Sequence, residues 1–427
     1  MSNNGDHRDH GFGVRSDGRS DERSDRRPEV RSEARSGVRT ALVIGGGVAG
    51  PVAALALRKA GVEATVYEAY PAAADGVGAW LGLAPNGLAV LETVGADTAV
   101  RAVGHPVPGM VMSDGAGNRL TSFGGFPELP PLLTLRRDRL FRALTDHAVA
   151  EGIGFEFGKR LVSAEEAPDG VVARFADGTS ATADILIGAD GIRSTVRTLI
   201  DPLAPAPEYG GILSFGGYAP ADCGVGAEPG VMHFAFGRTF MGHWRAADGR
   251  LIWFAGLPTD TPPTQAEVAR TPSAEWLDRL RELYTGHVPG ERMLRHADPA
   301  DLMAVGPMER MPSVPHWHRG RLVLVGDSVH APSSSSGQGA SLALESAVEL
   351  ARCLRDLPSY EAAFATYEAL RRPRVEVIGE NAAAVNEVKS GKKAAPAFPA
   401  LEDMLRPLHF HRIDWRERAT TPEPATP

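Results

Sequence analysis

The sequence predicts an α/β fold in which a Rossmann-like parallel domain is interleaved with an antiparallel sheet domain and followed by C-terminal helices. Three observations predict it. A strand, a glycine cluster, a helix and a second strand succeed one another in "TALVIGGGVAGPVAALALRKAGVEATVYEAY". Aromatic-rich segments of period two fill residues 211–257, and from Ala340 onward the apolar positions recur at helical spacing.

The chain has 427 residues, a mass of 45.3 kDa and 43% hydrophobic residues. That exceeds one typical core, so two interleaved or sequential domains are expected. Residues 1–38 repeat Arg-Ser-Asp units ("RSDGRSDERSDRR") with almost no large apolar side chain, and are expected to form a disordered tail. Arg26-Arg27 precede no apolar stretch, so an export signal is not expected. The first domain opens over 39–99. Thr40 to Ile44 reads as a buried strand, Val48 to Ala60 as a helix closed by Gly61, and Ala64 to Glu68 as a second strand. Gly45, Gly47 and Gly50 fill the positions that a dinucleotide site needs for a tight turn, close pyrophosphate approach and helix packing, with the Val48 and Ala49 amides at the helix start. Glu68 ends the second strand, where an acid accepts hydrogen bonds from an adenosine ribose.

Strand-like residues 100–128 are expected to belong to the second domain and 129–205 to return to the first. There Ile185 to Ile187 is another buried strand, ending in Gly188-Ala189-Asp190-Gly191 before a basic helix start with Arg193 and Arg197. Residues 206–308 carry the antiparallel sheet, in "GILSFGGYA", "VMHFAF", "TFMGHWRA" and "RLIWFAGL", separated by turn residues. By alternation Phe240, Gly242 and Trp244 share one face, and Ile252, Phe254 and Gly256 share one face of the next strand. These aromatics either line a pocket or form the domain core. Residues 309–375 complete the first domain: strand Arg321 to Val325 leads to Gly326-Asp327, then to four serines, Ser333 to Ser336, and to Gly337-Gln338-Gly339-Ala340 at a helix start. Backbone amides left bare there suit an anion or an electron-rich ring. Helices are expected over Ala340 to Leu354 and on through 376–415, with a break at Pro373. Arg371-Arg372-Pro373-Arg374 reads as a solvated charged face, and 416–427 as a second disordered tail.

A net charge of -8 and a pI near 5.9 provide no broad positive field, so nucleic acid is not an expected partner. No apolar run is long enough to span a membrane. Cys223 and Cys353 are too few for a disulfide framework or a cysteine metal cage, and no metal site is expected; a reducing cytoplasm suits them. The oligomeric state is not legible.

In this order and spacing, the glycines at 45–50, "GADG" at 188–191 and "GD" at 326–327 resemble the class A, single-component FAD-dependent monooxygenases, similar to p-hydroxybenzoate and salicylate hydroxylase. The likeness runs over roughly residues 40–375. A further mark is "LTLRRDRLFRAL", in which Arg137 and Leu140 match the family's arginine and leucine on a helix that touches the flavin. The resemblance implies a glutathione-reductase-type FAD domain and non-covalent FAD. Asp327, beside Gly326, would hold the ribityl chain, and the amides from Gly337 through Gln338 and Gly339 to Ala340 would face the flavin and pyrophosphate; Asp190 belongs to the same site. It also implies that the sheet roofs the flavin and offers Trp244 and Phe254, with Ser334 from the serine loop, to the substrate. Three departures bear on flavin mobility and reduction more than on binding. Ser334 stands where relatives carry proline, Ser346 where they carry an acid, and residues 71–87 lack an arginine many relatives have.

The implied reaction is a monooxygenation. NADH or NADPH binds transiently and reduces the flavin, O2 gives a C4a-hydroperoxide, and one oxygen passes to an electron-rich, aromatic small molecule. The Ala-, Gly- and Arg-rich composition associates with secondary metabolism. His233, flanked by apolar residues, is a candidate proton relay for a phenol or else a packed histidine, and His330 is expected to be packed or beside the flavin. A flavin-dependent reductase or dehydrogenase of isoprenoid-like substrates is the alternative. A halogenase lacks its Trp-x-Trp-x-Ile-Pro stretch here, and a non-catalytic FAD-binding protein is the remaining reading.

Overall fold

The computed structural model describes residues 34–72, 80–246, 248–390, 392–393 and 401–422. Most of the expected first tail, the end of the second and most of the glycine-containing loop before Trp80 lie outside the described residues. In chain order, β1 (Thr40–Ile44), α1 (Ala49–Lys59), β2 (Glu63–Glu68), α2 (Arg137–Ala150), β3 (Gly154–Phe157) and β4 (Ile185–Gly188) begin the first layer. β5 (Glu208–Ala219), β6 (Val231–Phe236), β7 (Phe240–Arg245), β8 (Leu251–Pro258) and β9 (Met303–Arg310) build a second sheet. The chain then returns through β10 (Leu322–Leu324), α3 (Gly339–Asp356) and α4 (Tyr360–Lys389).

β1 is central because its side chains from Ala41 to Ile44 are buried on both faces, the environment that continuous apolar strands require. Val43 stands opposite Ile187 of β4 on one side and Val66 of β2 on the other, both in parallel register. β3 extends the sheet beyond β2, and β10 with an antiparallel two-residue strand, His318–Arg319, extends it beyond β4. Gly326 follows β10 with φ +64, and a Cβ there would stand 3.1 Å from the methyl groups of both Ala49 and Ala343. This glycine therefore sets how closely α1 and α3 approach at the sheet's carboxyl end.

The second sheet runs β9, β5, β8, β7, β6, Gly109–Asp114 and Arg119–Phe123. It is mixed rather than wholly antiparallel, because Gly109–Asp114 lies parallel to β6. The intervening chain crosses the first domain between them, and that long crossover is what a parallel pair needs.

Four expectations about the C-terminal third and the chain ends are corrected. Residues 34–38 are not a tail: the Arg35 and Ser36 amides donate to the Arg355 and Leu354 carbonyls at the end of α3, and Ala34 and Val38 are buried. Helix ends leave such carbonyls free, and this segment satisfies them. At the other end Ala419 is buried, its amide donates to Asp356 Oδ2 at 2.8 Å, and the Arg355 guanidinium donates to the Trp415 carbonyl. Pro373 does not break α4, which continues from Tyr360 to Lys389.

The reason lies in the arginines around it, which are not a solvated face. Glu345 on α3 is fully buried and meets Arg371 at 2.7 Å, an ionic approach, and Arg374 at 2.9 Å. Asn86 Nδ2 donates to the same carboxylate at 2.7 Å and to Gln338 Oε1 at 2.9 Å. Ser346 takes up His330 Nε2 at 2.7 Å and Arg371 Nε at 3.2 Å, so the serine found where an acid was expected completes this cluster. Arg372 is anchored separately to Glu368 and Glu376. Burial alone would raise the Glu345 carboxyl, but Arg371 and Arg374 hold it at about 2.

Removing one partner leaves a buried charge uncompensated, so Arg371→Met should cost about 3–5 kcal/mol in denaturant unfolding. A loss under about 1 kcal/mol would deny the cluster this role. Because the folded Glu345 value of about 2 lies below the ordinary 4.5, its contribution is present at neutral pH and is lost as pH falls from about 4.5 toward 2. Midpoints measured across that window should fall less steeply in Glu345→Gln than in the wild type.

Candidate active site

A cavity of about 2510 Å³ is lined by residues of both layers. A drug-sized site takes roughly 300–1,000 Å³, so this one has room for a dinucleotide and a second molecule.

One end is built by the turn after β1. Gly45 has φ +108, and a Cβ there would lie 2.4 Å from the Ala189 carbonyl oxygen, while one on Gly50 would lie 1.9 Å from the Gly45 oxygen. Both glycines are sterically required. Gly47 differs: it borders the cavity, and a Cβ would find only Phe141, at 3.9 Å. The start of α1 at Val48 and Ala49 has no side-chain cap and no acid in its first turn. Glu68 Oε2 accepts from the Gly46 amide at 2.6 Å and Oε1 from the Tyr70 amide at 2.9 Å, which fixes this carboxylate at the cavity wall.

The second helix start at the cavity belongs to α3. A 3₁₀ turn, Ser334–Ser336, ends at Gly337 in the left-handed region with φ +61, and Gln338 follows, buried and held by Asn86. Gly339 and Ala340 begin α3 with no side-chain cap and no acid in the first turn. Asp327 faces the same cavity, and among the described residues no hydrogen bond to its carboxylate is present. Burial pushes its carboxyl up, and the Arg137 guanidinium pulls it back. Arg137 lies over the Phe141 ring at 5.1 Å on the cavity wall.

Two uncapped helix starts aimed into one cavity, a glycine with open space before the first, and a carboxylate awaiting donors fit a dinucleotide with a pyrophosphate and a polyhydroxyl chain. A family described as FAD binding domain matches residues 39–212 and 282–382. The chain is a class A FAD-dependent monooxygenase. An aurachin C monooxygenase/isomerase from Stigmatella aurantiaca is 30% identical over 382 residues, covering 88% of this chain and 96% of that protein. A 3-amino-4-hydroxybenzoate 2-monooxygenase from Streptomyces cremeus is 31% identical over 353 residues, covering 80% and 85%. The crystal structure of Klebsiella pneumoniae HpxO with FAD and uric acid superposes with a TM-score of 0.72 at 25% identity, over 88% of this chain and 94% of that one.

The monooxygenase's second sheet forms the other wall. Met232, Phe234, Phe240, Trp244 and Phe254 line the cavity, so these aromatics face it as well as one another. Phe254 lies across Gly242, where a Cβ would come within 2.2 Å of its ring. Trp80 meets Trp244 edge-on at 5.5 Å. Ser334 lines the same space from the serine loop, with its hydroxyl 3.8 Å from Met308 Sδ.

Two expected site residues of the monooxygenase sit differently. His233 alternates with Met232 and Phe234, so it points to the opposite face, stacked on His243 at 4.9 Å. It is packing, not a relay in the cavity, and burial lowers its pKa. Asp190 borders the cavity, but its carboxylate is engaged by Ser194 and by the Thr195 and Val196 amides at the start of the next helix. His330 is packed against Trp317 and Ser346, and burial, then Arg371, lowers its pKa to about 3. Lys389, which the sequence reading passed over, lines the cavity at the end of the stripe Ile378, Ala382, Val385. That helical spacing was readable as one face.

Gly47→Val fills the open space and should yield colourless protein with the fold intact; yellow protein with stoichiometric FAD would remove Gly47 from the cradle. Asp327→Ala should weaken FAD by about tenfold or more in an apoprotein titration, because a charge-assisted bond contributes roughly 1.5–3 kcal/mol. His233→Ala should leave the fraction of consumed dioxygen released as hydrogen peroxide at its wild-type level, measured with peroxidase coupling.

Proposed function

We propose that this monooxygenase uses NADH or NADPH to insert one atom of O2 into an electron-rich aromatic or heteroaromatic small molecule. The observation that carries this reading is the aromatic wall of Phe234, Phe240, Trp244 and Phe254 on the cavity that also receives the two helix starts. The ring compounds in the relatives' names, 3-amino-4-hydroxybenzoate and uric acid, support the same substrate class.

Each residue has a definite task. Gly47 and the Val48 and Ala49 amides hold the pyrophosphate, Glu68 the ribose and Asp327 the ribityl chain. The amides from Gly337 to Ala340 stabilise negative charge at the flavin's pyrimidine edge, as helix N-termini do. When bound, FAD would supply the redox chemistry, as hydride acceptor from the nicotinamide and as the site of O2 activation. Trp244 and Phe254 orient the ring, and Phe240 and Met232 exclude the water that would divert oxygen to peroxide. Cys223 and Cys353 are buried free thiols, which suits a reducing cytoplasm. The composition favours a role in secondary metabolism.

Turnover of phenols, indoles and fused aromatic polyketides under ¹⁸O₂ with NADH or NADPH tests this directly. The product should carry one labelled oxygen; label from water only, or reduction without oxygen gain, would overturn the reading.

A further inference from the structure

The cations lining the cavity are mostly engaged by carboxylates. Arg193 meets Glu309 at 2.7 Å, Arg374 meets Glu345 at 2.9 Å, Lys159 meets Asp177 at 2.7 Å and Lys393 meets Glu387 at 2.5 Å. Arg137 stands at the flavin end beside Asp327, and Arg160 lies over the Tyr70 ring at 5.8 Å, away from the aromatic wall of the second sheet. Lys389 differs in partner and in place. Its ammonium lies 3.9 Å from the centre of the Phe240 ring, and among the described residues no carboxylate is within ion-pair reach. Glu387, its neighbour along the helix, is committed to Lys393.

The aromatic wall continues from that point. Phe240 is 5.8 Å from Phe254, Phe254 is 6.2 Å from Trp244, and Trp244 is 5.5 Å from Trp80. A strip of ring faces and edges thus ends in a lone ammonium. Lys389 is half-buried; an ammonium partly withdrawn from water with a ring face beside it is poorly compensated, and an anionic oxygen entering the cavity would supply a partner. Burial is the sole cause that lowers the Lys389 pKa, to about 8, so the side chain still carries its proton at neutral pH.

We propose that Lys389 binds an anionic oxygen of the substrate, a carboxylate or an ionised ring hydroxyl, and so selects planar aromatic acids or acidic phenols over neutral rings. This rests on the substrate class proposed above, and it adds the charge and the residue that reads it. Where the anion is a ring hydroxyl, pairing with Lys389 also favours the electron-rich ionised form of the ring, and the hydroxyl proton leaves to solvent before oxygen transfer.

The test reads binding to the oxidised, FAD-loaded full chain without reductant, so it is independent of whether oxygen transfer is seen. Flavin absorbance is titrated with 2-naphthoate and with the neutral 2-naphthamide. In a second arm, 4-nitrophenol is titrated and its ionisation followed by its own visible absorbance. Expected is naphthoate binding about tenfold or more tighter than the amide, a preference lost in Lys389→Met and kept in Lys389→Arg, or a lowered apparent pKa of bound nitrophenol in the wild type alone. The first outcome identifies a carboxylate and the second a ring hydroxyl. Flavin content checks that Lys389→Met is folded, and Lys389→Gln replaces it if not. Absence of binding by all three probes, or preferences and ionisation that are the same without the lysine, would overturn the proposal.

Discussion

The buried carboxylate of Glu345 is the constraint on which the site's architecture depends. It joins α3, which carries it, to α4 through Arg371 and Arg374, and to the helix Pro85–Thr93 through Asn86. Asn86 passes the tie on to Gln338, the residue before the first turn of α3. That helix start carries no cap of its own, so its position is imposed from behind by an ion cluster, leaving the amides free for a ligand. A buried ion pair is poor evidence for net stability, because desolvation consumes much of its attraction. Its value here is geometric: arginines on adjacent turns can meet one acid only when α4 is at one rotation.

That rotation also decides what α4 shows to the cavity. With Arg371 and Arg374 turned to Glu345, the stripe Ile378, Ala382, Val385 and Lys389 faces the space under the second sheet. Two chemical surfaces meet there. The first layer presents amide dipoles and carboxylates suited to a charged, polar cofactor, and the second presents rings, with the Lys389 ammonium of α4 at one end. The cavity is polarised along its length by which layer supplies each wall.

The parts legible in the sequence are those set by local chemistry. Gly45, Gly47 and Gly50 announce the β1–α1 turn because backbone geometry at each position excludes a side chain or leaves room for a ligand, and the alternation in β7 and β8 puts Trp244 and Phe254 on faces that line the cavity. The same alternation, carried across the pairing of Phe236 with Phe240 and Phe234 with Gly242, places His233 on the far face. Considering β6 alone concealed it. The arginines at 371 and 374 were misread because their partner lies 29 residues from Arg374 and on another helix, and a dense charge run ordinarily faces water. The break expected at Pro373 fails for a related reason: propensity describes an isolated helix, whereas here contacts on either side hold the helix through it. The two chain ends were read as tails from composition, which does not register that a few residues are recruited to the open end of α3.

The interleaving of the layers has a consequence for how the molecule comes into being. β1 occupies the centre of the parallel sheet, yet its neighbour β4 arrives after two strands of the second sheet, Gly109–Asp114 and Arg119–Phe123, and the next strand, β10, arrives only after all of that sheet has been made. The emerging chain therefore carries a parallel sheet whose β4 edge stays open until the strands of the second sheet have been made. Later still along the chain, Trp415 and Ala419 meet Arg355 and Asp356 at the end of α3. Long-range pairings of this kind slow folding and leave strand edges exposed in the meantime.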